Sequence, residues 1–163
     1  MTLEKSAQQT KQTRAFADNS ITIRRFMPED HAALLAIWAE TGQKAYSLEE
    51  IARLRRIEGD ALVAETRNAE GILEAAGVVL WSHNGQKAFL WRLAVAPAHR
   101  QKGIATRLLD QVERDILAAG FREICFHVHE RNTNAQRMYL KRGYQHIAPV
   151  GYWGKKFDVR AGC

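Results

Sequence analysis

The order of apolar patterns along the 163-residue chain predicts a mixed α/β fold, and three observations carry that reading. Short runs rich in Val, Ile, Leu and Ala are separated by Gly- and Asn-containing turns, which is the pattern of strands joined in hairpins. Other segments repeat apolar residues three and four apart, the spacing of an amphipathic helix. One such helix, opening near Gly103, lies between strand-like runs at 88–95 and 123–128. A helical crossover between two strands of one sheet makes them parallel.

Residues 1–19 are polar and without periodicity and are expected to form a disordered tail before a single domain over 20–163. Residues 21–26 read as the first strand. Pro28, Glu29 and Asp30 suit a helix start, and His31, Leu34, Leu35 and Trp38 make its apolar stripe. Ser47 and Glu50 are spaced as a capping box, opening a second helix with Ile51, Leu54 and Ile57 on one side and Gly59 as its stop. Residues 61–66 and 72–81 read as strands joined by a polar turn containing Gly71. Asn84-Gly85 signals a hairpin before 88–95. The helix from Gly103 carries Ile104, Leu108, Leu109, Val112, Ile116 and Leu117 on one face and stops at Gly120. A buried strand at 123–128 follows, then a helix from Asn132 stopped by Gly143. Two short strands are expected at 144–148 and 152–159, around Pro149.

Composition narrows the class. Hydrophobic content of 46% and charged content of 26% are ordinary for a globular domain. No apolar run reaches the length of a membrane span, and the N-terminus lacks a signal-peptide pattern. Cys125 sits in an apolar run, as a small core residue, and Cys163 is terminal, so a disulfide framework is not expected and a cytoplasmic location is. The net charge of +6 invites a nucleic-acid reading. The excess is local, however. Residues 98–107 hold Arg100, Lys102 and Arg107, and residues 131–142 hold Arg131, Arg137, Lys141 and Arg142, with no acid in either stretch. These are solvated helix faces or the surroundings of an anion, and groove-reading or base-stacking features are lacking.

Two segments carry chemistry. The first runs from Leu93-Ala94-Val95 through Pro97 and Arg100-Gln101-Lys102-Gly103-Ile104-Ala105-Thr106. A strand that ends in a turn and opens a helix presents unpaired backbone N–H groups at the positive end of the helix dipole. Gly103 and Ala105 would let a phosphate approach that backbone. Taken alone, an ordinary strand-to-helix connection has the same look. No Gly-x-Gly-x-x-Gly fingerprint and no Gly-Lys-Ser/Thr phosphate loop is present. The second segment begins at Asn132 and places Asn132, Ala135 and Tyr139 at helical spacings of three and seven. An ordinary capped helix with Ala135 and Tyr139 in the core reads equally well there.

Together, Arg100-x-x-Gly103-x-Ala105 and Asn132-x-x-Ala135-x-x-x-Tyr139-x-x-x-Gly143-Tyr144 resemble the paired motifs of the GCN5-related N-acetyltransferases, with Tyr144 at the usual Phe. The likeness is by motif in the second half of the chain and by element order in the first. It implies a mixed, mostly antiparallel central sheet with a splayed parallel strand pair and flanking helices. It also implies acetyl-CoA as cosubstrate, with no metal. Leu93, Ala94 and Val95 would then pair with the pantetheine arm through their backbone. Arg100, Gln101, Lys102, Gly103, Ile104, Ala105 and Thr106 would hold the pyrophosphate, and Asn132 would bond near the pantetheine or thioester. Tyr139 would protonate the leaving thiolate. Residues 88–95 hold no carboxylate for a general base. Ribosomal-protein N-terminal acetyltransferases carry a Glu five residues before the Asn, and that position here is His127, which either serves as base or packs at a strand edge. His127, His129 and Glu130 are too few for a metal site.

Trp38, Glu40, Tyr46, Tyr152 and Trp153 fall in segments that shape the acceptor pocket of similar proteins. The expected activity is acetyl transfer to a primary amine by direct attack in a ternary complex. The acceptor would be a protein N-terminus, a lysine or a small-molecule amine. The alternative is a non-catalytic acyl-CoA-binding sensor. The amine acceptor is the expected partner, with no nucleic acid and no membrane, and a homodimer is allowed.

Overall fold

Alternation of side chains along the central strands decides the layers of this protein. The computed structural model describes residues 21–68 and 70–147, in two units, the first ending at Phe126 and the second beginning at His127. In the first unit, β1 (Thr22–Arg25), β2 (Asp60–Arg67), β3 (Leu73–His83), β4 (Ala88–Val95) and β5 (Ile124–Cys125) lie side by side in that order. Neighbours from β1 to β4 run antiparallel, and β4 and β5 run parallel. The mixed α/β sheet with one parallel pair is as expected.

Ala61 and Val63 of β2 and Val78 and Leu80 of β3 share a core with α1 (His31–Glu40) and α2 (Leu48–Arg56), which contribute Leu34, Ile37, Trp38, Ile51 and Leu54. The intervening residues Leu62, Ala64, Val79 and Trp81 are buried on the opposite face. There α3 (Ile104–Ala118) packs with Ile104, Leu108, Leu109, Val112 and Ile116 inward. Each such side chain is worth about 1.5–3 kcal/mol of burial. Gly77 sets how closely α3 approaches. A Cβ there would stand 3.0 Å from Ile104 Cγ2 and 3.2 Å from Leu108 Cδ1.

The start of α1 is pinned to the edge strand. The Arg24 guanidinium meets both Asp30 oxygens at 2.7 Å and Glu65 Oε2 at 2.8 Å, while Asp30 Oδ2 also accepts from the Met27 N–H at 2.8 Å. Burial pushes the Asp30 carboxyl up, but the Arg24 and Met27 hydrogen bonds outweigh it and hold it below the usual range. Pro28–Asp30 form a 3-10 turn, so α1 begins at His31 and its phase shifts. Ile37 is buried in place of Leu35, which is exposed.

Helix ends follow local rules with one exception. Ser47 and Glu50 form the reciprocal capping box, with Ser47 N–H on Glu50 Oε2 at 2.8 Å. α3 ends with Gly120 N–H on Leu117 O and Phe121 N–H on Ile116 O, the paired bonds of a left-handed stop. At the end of α2 the left-handed residue is Glu58, with φ of 60°, not Gly59, whose N–H bonds Leu54 O at 3.0 Å. Ile57 and Leu117, expected on the buried faces, are more than half exposed because each lies at its helix's end.

The expected strand at 123–128 shrinks to Ile124 and Cys125, opposite Ala88 and Phe89, and neither residue is fully buried. Cys125 is therefore not a core residue. Burial and then Glu123 push its thiol up, which disfavours the thiolate. In the second unit, α4 (Thr133–Lys141) ends at Gly143, with Tyr144 N–H on Tyr139 O at 3.1 Å. Residues 144–147 form no strand. The tail at 1–19, the strand at 152–159, Ala148, Pro149, Tyr152, Trp153 and Cys163 lie outside the described residues. No helix among the described residues is long and apolar enough to cross a membrane.

Candidate active site

β4 is bent where the first motif begins. Val78 pairs with Ala94 and Leu80 with Trp91, so Val79 alone stands opposite both Arg92 and Leu93. That is a β-bulge, and Arg92 absorbs it with φ of 53°, a conformation uncommon outside glycine. The bulge is held from the α1–α2 loop. Arg92 Nε donates to Lys44 O at 2.9 Å, its guanidinium lies 5.7 Å from the Tyr46 ring centroid, and Gln43 Nε2 donates to Leu93 O at 3.1 Å. The Leu93 carbonyl thus already accepts one hydrogen bond within the protein. The ladder to β5 stops at Phe89, although β4 continues to Val95, so the rest of β4 extends past its parallel neighbour.

Beyond β4 the chain turns through Pro97–His99 and reaches α3 with two left-handed residues, Gln101 (φ 61°) and Gly103 (φ 80°). Gly103 is the N-cap of α3 and carries no side chain to satisfy the first turn. The amides of Ile104, Ala105 and Thr106 therefore stand at the open, positive end of a fifteen-residue helix. A Cβ on Gly103 would meet nothing within 4 Å, so the approach to those amides is clear. Arg100 and Lys102 are exposed beside the turn, with Arg100 Nε 3.4 Å from Val95 O and Lys102 Nζ 3.2 Å from Ala98 O. Arg107 is committed elsewhere, donating to Ile21 O at 2.7 Å. The turn is braced by a pair no motif signals: His99 Nε2 lies 2.7 Å from Glu74 Oε1.

The second unit holds the other expected residues. His127 is exposed in irregular chain, not on a strand. Asn132 caps α4, its Oδ1 accepting the Ala135 N–H at 3.2 Å and its own N–H donating to His129 O at 2.8 Å. Gln136 Nε2 closes the same turn by donating to Glu130 O at 2.8 Å. Tyr139 is buried, its ring edge-on to Tyr144 at 5.5 Å, and burial pushes its phenol up to about 12. Of the acceptor-pocket residues, Trp38 is wholly buried in the core, Tyr46 is half-buried 6.3 Å from it, and Glu40 is exposed. No cluster of three metal-ligating side chains occurs among the described residues.

A family model described as acetyltransferase (GNAT) family matches residues 24–144. The chain belongs to that family. The match spans the bulged β4, the open turn before α3 and all of α4. Solved GNAT-like structures share the fold. Ard1 from Thermoplasma volcanium is 23% identical, covering 79% of this chain and 85% of that one with a TM-score of 0.68. An acetyltransferase of the GNAT family from Staphylococcus aureus Mu50 is 18% identical, covering 79% and 87%, with a TM-score of 0.67. The aminoglycoside 6'-N-acetyltransferase AAC(6')-Ig from Acinetobacter haemolyticus is 22% identical, covering 84% and 99%, with a TM-score of 0.64.

Proposed function

We propose that this GNAT-family chain is an acetyl-CoA-dependent N-acetyltransferase acting on a primary amine, with 20–163 as one catalytic domain. The observation that carries the reading is the uncapped start of α3. Bare amides, a left-handed glycine with open space before it and exposed Arg100 and Lys102 together suit a pyrophosphate. Gln101 to Thr106 would bond the phosphates, and Leu93, Ala94 and Val95 would lie along the pantetheine arm through their backbone. Asn132 would donate through Nδ2, since its Oδ1 is used by the cap.

Acetyl-coenzyme A supplies the acetyl group as a thioester. With a phenol near 12, Tyr139 stays protonated throughout the neutral range, so it always has a proton to offer the leaving sulfur. Complete transfer to a thiolate of ordinary pKa near 8.5 is uphill by roughly 5 kcal/mol, so hydrogen-bond stabilisation of the sulfur outweighs proton release. His127, exposed and imidazole-bearing, is the proposed acceptor of the amine proton.

Calorimetric titration with acetyl-CoA, followed by coenzyme A release with peptide and small-amine acceptors, tests the proposal. Binding together with turnover on at least one amine is expected. Binding with no turnover on any amine would instead favour a sensor, for which the absent β4 carboxylate is the supporting observation. In single turnovers, His127→Ala should shift the ascending limb of the pH–rate profile, and an unchanged limb removes His127 as base.

A further inference from the structure

The face of the sheet beneath α2 carries a groove of about 540 Å³, lined by Tyr46, Leu54, Arg56, Ile57 and Trp91 among others. Its floor is aromatic. The Trp91 indole N–H donates to Ser82 Oγ at 2.7 Å, and Phe89 stacks beside it with ring centroids 6.0 Å apart. Leu54 and Ile57 add an aliphatic wall.

The charged groups facing the groove are Glu50, Arg53 and Arg56. Glu50 is held by the Ser47 N–H in the capping box, and Arg53 pairs with Glu49. Arg55, on the same turn, reaches Asp60 at 3.4 Å. Arg56 makes no hydrogen bond or ion pair among the described residues. The rim therefore offers one uncommitted cation over an aromatic floor. A polycation would meet that arginine with only one partly committed acid to answer it, whereas an apolar body bearing a carboxylate would find both halves complemented. Trp91 immediately precedes the Arg92–Leu93 bulge, so the groove opens on the same strand that the proposed function assigns to the acetyl-bearing arm.

We propose that this groove is the acceptor pocket and selects amines that carry an apolar or aromatic body and a carboxylate, the body on Trp91 and the carboxylate at Arg56. The inference rests on the acetyltransferase reading but is separable from it.

The test compares phenylalanine and leucine with their decarboxylated counterparts phenethylamine and isopentylamine, and with spermidine and an aminoglycoside. Because the Arg56 pair is at a solvent-exposed rim, each acid should have a KM about three- to fivefold below that of its counterpart. Arg56→Gln should erase that difference by raising KM for the acids alone, with kcat unchanged. Trp91→Ala should raise KM for both phenyl compounds. A wild-type preference for the decarboxylated amines or the polycations overturns the inference, and so does an equal effect of Arg56→Gln on acid and amine. If acetyl-CoA binds and no amine is turned over, the enzymatic reading fails and tryptophan emission decides the groove. Quenching by phenylalanine over phenethylamine that is lost in Arg56→Gln supports it, and its absence overturns it.

Discussion

The two helix starts that carry the family motifs are capped differently. At α3 the N-cap is Gly103, which has no side chain, so three amides remain available to the proposed pyrophosphate. At α4 the N-cap is Asn132, whose carbonyl oxygen takes the Ala135 amide, so one first-turn amide is capped, and the groups proposed to act there are side chains: the Asn132 amide NH₂ and the Tyr139 phenol. An anion therefore suits α3 better than α4, where one amide is already taken. Substitutions at α3 should work through access to backbone, and those at α4 through loss of a specific atom.

The largest effect should come from the atom-specific helix. Tyr139→Phe deletes one hydroxyl and keeps the ring. General acid groups contribute about a hundred- to ten-thousand-fold, and with a phenol near 12 the lower end applies, so kcat should fall about a hundredfold while acetyl-CoA affinity holds. Stopped-flow turnover and calorimetry check both halves, and a loss in affinity instead would blur the contrast with α3. The same side chain has an alkaline signature. Its folded pKa, about 12, lies above the ordinary value of 10, so stability is full below pH 10 and is lost as pH rises through 12. The loss should amount to about 2–3 kcal/mol and vanish in Tyr139→Phe, as read by urea unfolding across that range.

A smaller effect probes the backbone site. Gly103→Val should weaken acetyl-CoA binding about tenfold by filling the space before the α3 amides. Valine is also strained at a φ of 80°, so the matched control is Gly71→Val, at the same φ and with the same open surroundings, in the β2–β3 turn. Both variants should lose similar stability, and only Gly103→Val should lose affinity. Equal affinities in the two would remove the α3 turn from the cofactor site.

Local chemistry was legible along the chain and pairing geometry was not. The Ser47–Glu50 box, the stop at Gly120 and the Gly143 end of α4 depend on residues three to six apart, and each formed where its residues predicted. The Arg92–Leu93 bulge has no such sign, because no glycine marks it and only the register against β3 creates it. Apolar content marked 123–128 as a buried strand, but a strand lasts only as long as its pairing, and this one pairs with β4 for two residues. Gly77 and the His99–Glu74 brace were invisible for the same reason, since each answers to residues distant in sequence. At α4 the residues were found, but a cap competes for the Asn132 side chain, and spacing alone does not say which use wins.

That competition frames the smallest effect. Asn132→Ala removes the Ala135 cap, which typically costs about 1 kcal/mol and, in a protein of this size, a few degrees in Tm. It also removes the Nδ2 donor proposed for the pantetheine, so by itself it cannot separate the two roles. Asn132→Asp can. A carboxylate caps a helix as well as an amide does and is favoured by the dipole, so stability should match the parent protein. The donor, however, becomes an acceptor. If Asn132 serves only α4, Asn132→Asp should bind acetyl-CoA like the parent and Asn132→Ala should lose stability alone. If it also serves the cofactor, both variants should weaken binding, by about fivefold for one lost neutral hydrogen bond, with stability falling only in Asn132→Ala. The expected result is the second. Paired melting curves and titrations on the two variants read it directly, and unchanged affinity in Asn132→Asp would reduce α4's contribution to the single hydroxyl of Tyr139.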